Sequence, residues 1–136
     1  MSGTTGLSLS TIGQVAQPVA DLDRSIEFYR DRLGGAFLAK FDPPGLAFFD
    51  CDGTRLLLDR AGGFQHPGSV IYFRVDDIDS ACEALKSRGV TFDEDPQLIH
   101  RDDDGAFGTP GAQTWMAFFK DPDGNTLAIM SEVAGG

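Results

Sequence analysis

The sequence repeats itself once, and this repeat limits the folds open to it. Val19-Ala20-Asp21-Leu22-Asp23 returns as Val75-Asp76-Asp77-Ile78-Asp79, a shift of 56 residues. A helical pattern follows each copy and closes near an arginine and a glycine, Arg32-Leu33-Gly34 in the first and Arg88-Gly89 in the second. Farther on, Phe48-Phe49-Asp50-Cys51-Asp52-Gly53 parallels Phe118-Phe119-Lys120-Asp121-Pro122-Asp123-Gly124. Each leads into an apolar strand, Leu56-Leu57-Leu58 or Leu127-Ala128-Ile129. The landmarks keep the same order in both halves, so the chain is expected to hold two copies of one supersecondary unit.

Each copy reads as β-α-β-β-β, which makes the fold class α+β. Residues 12–19 and 69–75 alternate like strands. Asp21 and Asp77 fit helix N-caps, where a short acceptor satisfies free amides of the first turn. Helices are expected over 22–33 and 78–88, with apolar stripes Leu22, Ile26, Tyr29, Leu33 and Ile78, Ala81, Cys82, Leu85. Gly34 and Gly89 suit helix C-terminal positions with positive φ. The first copy then has strands at 36–41, 46–50 and 54–59. The second has one at 91–93 or 97–101, then 113–119 and 125–131. Asp52-Gly53 and Asp123-Gly124 signal hairpin turns. The stretch from Arg101 to Gly111 reads as a long mobile loop.

The expected organisation is a flexible extension at 1–10, one domain at 11–132 with modules at 11–60 and 69–132, and a tail at 133–136. Neither module alone is large enough to bury its own sheet well. With 136 residues and 41% hydrophobic content, the chain can build a core without disulfides or a structural metal. Cys51 and Cys82 have no metal-ligand spacing and read as two reduced thiols. The net charge of −10, with 21 acids against 11 Lys and Arg, argues against nucleic acid and anionic membranes as partners. No apolar run approaches the ~20 residues of a membrane span, and residues 1–10 lack a signal-peptide pattern. A cytoplasmic protein is the expectation.

The residues Ile12-Gly13-Gln14-Val15, Val19-Ala20-Asp21-Leu22, Ser25, Phe28-Tyr29 and Leu33-Gly34 resemble the opening signature of the vicinal oxygen chelate superfamily. That superfamily includes glyoxalase I, methylmalonyl-CoA epimerase, extradiol dioxygenases, and fosfomycin and bleomycin resistance proteins. Phe119-Lys120-Asp121-Pro122-Asp123-Gly124-Asn125 is similar to its closing signature. The resemblance covers residues 11–132. It implies paired modules, each curling into half of a cup around a small molecule. It also implies a homodimer with the cavity at or near the subunit interface; whether modules are exchanged stays open.

Metal-using members take one ligand from the first and one from the fourth strand of each module, and the metal acts as a Lewis acid on substrate oxygens. The resemblance maps those positions to Gln14, Leu57, Val70 and Ala128. Three aliphatic side chains cannot coordinate a cation, and one neutral amide holds none. No metal and no other cofactor is therefore expected.

Strand parity places Arg55, Leu57 and Asp59, Val70, Tyr72 and Arg74, and Thr126, Ala128 and Met130 on the cup side. Arg55 and Arg74 offer bidentate donors to a carboxylate or phosphate; pairing with Asp59 or Asp76 is the competing reading. Tyr72 is a hydrogen-bond donor or a wall residue. Trp115 and Phe118 belong to an aromatic set that lines a pocket or fills core and interface. His66 and His100 read as solvated loop residues with a catalytic role as the alternative, and Asp102-Asp103-Asp104 as a solvated acidic loop. The expected ligand-binding set is Gln14, Arg55, Leu57, Tyr72, Arg74, Trp115, Phe118 and Ala128. The function expected is metal-independent small-molecule binding. The alternative is a divergent glyoxalase-like isomerase or lyase with an unconventional site.

Overall fold

A computed structural model describes residues 7, 10–60 and 68–134. The order of elements is β1 (Gln14–Pro18), α1 (Leu22–Glu27), a π-helical turn (Phe28–Arg32), β2 (Ala36–Phe41), β3 (Leu46–Cys51), β4 (Thr54–Asp59), β5 (Ile71–Arg74), α2 (Ile78–Ser87), β6 (Gln97–Asp102), β7 (Ala112–Lys120) and β8 (Thr126–Val133). Two four-stranded sheets result, ordered β1-β4-β3-β2 and β5-β8-β7-β6. In each, the first and last strands of the unit pair in parallel and the remaining pairs are antiparallel. The fold is α+β, two copies of one mixed sheet.

Both helices begin on the expected aspartates. The Asp21 carboxylate accepts from the backbone N–H of Arg24, and Asp77 from that of Ser80, each at 3.1 Å. The first helix departs from the simple pattern. It is α-helical only to Glu27 and then widens, with Leu33 N–H donating to the Phe28 carbonyl at 3.1 Å. The wider turn lets the adjacent rings of Phe28 and Tyr29 both reach the interior, at 6% and 2% exposure. Asp52-Gly53 forms the expected turn, with φ of 52° and 96° at the two central positions.

Strand parity follows the sequence pattern. Leu56, Leu58, Leu127 and Ile129 are buried on the helix side, with Ile71, Phe73 and Val75 packed beside them. One continuous apolar cluster draws on both sheets and both helices. The sixth expected strand is at 97–102; of 91–93, only Phe92 bridges to Phe119. β8 extends two residues past 131.

The expected loop from Arg101 starts later and is tied down. Arg101 and Asp102 complete β6, and Asp102 is buried at 4% exposure. Its carboxylate accepts from the backbone N–H groups of Ala106 at 2.7 Å and Phe107 at 2.8 Å. The solvated reading of the acidic run therefore fails for Asp102: as the last strand residue it turns inward, where only those amides can compensate its burial. Cys51 is exposed, Cys82 buried, and both are free thiols. No helix among the described residues is long and apolar enough to cross a membrane.

Candidate functional site

The sheet faces turned away from the helices carry matching rungs. Ala16, Leu57 and Phe48 stand side by side on β1, β4 and β3. Tyr72, Ala128 and Phe118 stand in the same order on β5, β8 and β7. One rung away, Gln14 neighbours Arg55, and Arg55 neighbours Asp50. Aromatic contacts stiffen both faces: Phe41 meets Phe48 edge-on at 5.9 Å, and Tyr72 meets Phe118 at 6.1 Å. The Arg55 guanidinium lies 6.0 Å from the Phe48 ring centre, a cation–π distance.

A cleft of about 910 Å³ opens between the two sheets, within the range of small-molecule sites. Its apolar floor includes Val15 and Leu56 from the first module and Ile71, Phe73, Leu85 and Ile129 from the second. Arg55, Tyr72 and Arg74 reach it from the cup faces, and Arg88 reaches it from the end of α2. Of the residues singled out in the sequence, the cleft thus gathers Arg55, Tyr72 and Arg74. Gln14, Leu57, Phe118 and Ala128 lie on the cup faces outside its lining, with Gln14 exposed and Ala128 fully buried. Trp115 lies on the opposite face of β7 from Phe118, packed against the core, and its indole N–H donates to Gln113 at 3.3 Å. Arg74 pairs with Glu132 at 2.6 Å across the sheet, and with neither Asp59 nor Asp76.

His100 sits exposed on β6 with its ring 5.6 Å from that of Phe107. His66 lies outside the described residues. Cys51 also lines the cleft, and burial, then the charge of Asp50, pushes its thiol upward. A thiol held protonated is a poor nucleophile.

A buried polar network joins the modules through residues that no catalytic or ligand motif in the sequence marks. The Tyr29 hydroxyl donates to Asp121 at 2.8 Å. Asp121 also accepts from the backbone N–H groups of Asp123 and Asn125 and from the Asn125 side chain. Asp123 takes Arg24 in an ion pair at 2.7 Å and the Ser25 hydroxyl at 3.3 Å. Asn125 donates to the Pro18 carbonyl, and Gln17 to that of Ser69. Burial, then the neighbouring Asp121 charge, drives the Tyr29 phenol far above its ordinary value, so it acts only as a neutral donor. The signal was available in two acids within Asp121-Pro122-Asp123, a hairpin beside a core strand. Arg88, just before Gly89, carried no signal beyond a helix end.

The four positions that would hold a metal offer one donor, the amide oxygen of Gln14; Leu57, Val70 and Ala128 have none in their side chains. Among the described residues, no group of three or more His, Cys, Asp or Glu is placed to hold a metal ion. The residues present do not fit the metal of the superfamily pattern.

These features can be set beside known proteins. The chain is 33% identical over 127 residues to a lactoylglutathione lyase of Haemophilus influenzae, covering 82% of this chain and 85% of that one. It is 30% identical over 135 residues to an uncharacterized protein of Bacillus subtilis, covering 84% and 93%. Among solved structures, an antibiotic-binding protein from Streptomyces sp. CB03234 superposes with a TM-score of 0.69 at 26% identity, over 93% of this chain and 98% of that one. The family model that matches, over residues 11–129, is that of the Glyoxalase/Bleomycin resistance protein/Dioxygenase superfamily, and with its twofold-repeated sheets this chain belongs to that superfamily.

Proposed function

We propose that this protein binds a small molecule without a metal, holding it against the cup faces of its sheets. The observation that carries the reading is the donor set: three alkyl side chains and one amide at the positions where Lewis-acid chemistry needs several anionic or imidazole ligands. Binding needs only affinity, and the faces supply it. Phe48, Phe118 and Leu57 give apolar area, while Arg55, Tyr72 and Arg74 give directional donors. The Streptomyces relative, described as antibiotic-binding, supports a sequestering role. We further propose that it acts in the cytoplasm, as a homodimer.

Thermal-shift screening of purified, chelator-treated protein against amphipathic metabolites and antibiotics tests the reading. Stabilisation by at least one aromatic or anionic compound is expected. A library without a single stabilising compound would count against it.

The likeness to a lactoylglutathione lyase favours a second reading, a glyoxalase-like lyase or isomerase with an unconventional site. Formation of lactoylglutathione from glutathione and methylglyoxal by the protein, with or without chelator, would select this reading over the first.

A further inference from the structure

The cleft differs in charge from the rest of the molecule. The whole chain has 11 Lys and Arg against 21 Asp and Glu. The cleft lining departs from that balance: three arginines, Arg55, Arg74 and Arg88, against two aspartates, Asp50 and Asp52, with Glu132 paired to Arg74 just outside it. Three guanidinium groups brought to one concave surface in an acidic protein focus positive potential there.

Each guanidinium has donors left over. Arg74 gives one Nη to Glu132 at 2.6 Å and is 68% exposed along its side chain. Arg88 gives one Nη to the Arg32 carbonyl at 3.3 Å. A guanidinium carries five N–H donors, so one partner leaves a face able to take a carboxylate or phosphate in a paired fashion. Arg55 lies over Phe48 with its guanidinium carbon 6.0 Å from the ring centre, a contact that uses none of its N–H donors. The Tyr72 hydroxyl, on a residue 46% exposed, stands on the same face as Arg74. Beneath them lies the apolar floor of Leu56, Ile71, Phe73 and Ile129.

We infer that the cleft takes an amphipathic anion: a flat apolar body seated between the sheets, with a carboxylate, phosphate or sulfonate held by Arg55 and Arg74. This rests on the small-molecule reading above, moves the body of the ligand from the cup faces into the cleft between the sheets, and adds the class of ligand and its orientation. The floor has no charged group to receive a polar body. Arg55 and Arg74 stand on the cup-face side, so the anionic end points that way.

Two fluorescent probes that differ by one charged group test this. 8-Anilinonaphthalene-1-sulfonate has the sulfonate; N-phenyl-1-naphthylamine is the same skeleton without it. Wild-type protein is expected to bind the sulfonate at one site, about tenfold or more tighter than the neutral probe. In R55Q/R74Q that preference should vanish, through weaker binding of the sulfonate alone. Raising the salt concentration should weaken the sulfonate and not the neutral probe. Circular dichroism of the double variant checks that the fold is retained. Equal affinity for both probes, or a preference that survives in R55Q/R74Q, overturns the anion assignment and leaves small-molecule binding standing. Binding of neither probe overturns both.

Discussion

The Tyr29 hydroxyl donates to the Asp121 carboxylate at 2.8 Å, joining the first module's helical segment to the second module's last hairpin across 92 positions of sequence. Tyr29 is 2% exposed and Asp121 5%. A carboxylate buried this deeply depends on every donor it has. Tyr29→Phe removes one of several and should lower stability by about 1–2 kcal/mol. Asp121→Ala removes the acceptor of the Tyr29 hydroxyl, of the Asp123 and Asn125 backbone N–H groups and of one of the two Asn125 amide bonds, and should cost more, about 3 kcal/mol. Urea unfolding of the three proteins checks the order.

Gly68 should be intolerant of any side chain. A methyl group there would overlap the buried amide oxygens of Gln17 and Asn125 and lie 3.0 Å from the Pro18 ring. Rotating either amide away would break the bonds its nitrogen makes, from Gln17 to the Ser69 carbonyl and from Asn125 to Pro18 and Asp121. Gly68→Ala is expected to lose about 2 kcal/mol or more. Gly13→Ala, with nothing within 4 Å, should stay within about 0.5 kcal/mol of wild type. Equal midpoints for the two variants in thermal unfolding would contradict the close approach at Gly68.

Asp102 should control order in the segment that follows it. Its carboxylate accepts two backbone N–H groups, and its own carbonyl accepts from Gly111 at 2.6 Å. Asp102→Ala should raise the rate of limited proteolysis within 103–111 several-fold while the sheets persist. Asp103→Ala, which removes only a surface pair with Arg101, should not. Peptide mapping by mass spectrometry distinguishes them.

The helix cap at Asp77 should be visible in the pH dependence of stability. Its hydrogen bonds with Ser80 hold its carboxyl below the ordinary value of 3.8. A depressed folded value means the stabilisation is present above the unfolded value and is lost as pH falls through the folded one. Wild type should therefore be more stable than Asp77→Ala at neutral pH. The gap should begin to close as pH drops below about 4. A gap that stays constant down to pH 2 would show that the charge of the cap contributes nothing.

Much of this architecture was legible because it is local. The caps at Asp21 and Asp77, the turn at Asp52-Gly53 and the inward Leu56 and Leu58 each depend on neighbours within a few residues. The π-helical turn at Phe28–Arg32 was hidden, since the stripe of Leu22, Ile26, Tyr29 and Leu33 fits an ordinary helix. What widens the turn is the burial of two adjacent rings. The inward Asp102 was hidden because three consecutive aspartates look alike until strand parity selects one. The place of Trp115 followed from that same parity, which puts 115 and 118 on opposite faces. The cleft was least legible: Arg55 of the first module comes to line it with Arg74 and Arg88 of the second only through the packing of one module on the other.

The measurement that bears most directly on the account is elemental analysis of the purified protein, combined with titration of 8-anilinonaphthalene-1-sulfonate before and after chelation. Transition metal far below one ion per chain and probe affinity unchanged by chelator are expected. A stoichiometric metal ion whose removal abolishes binding would contradict it.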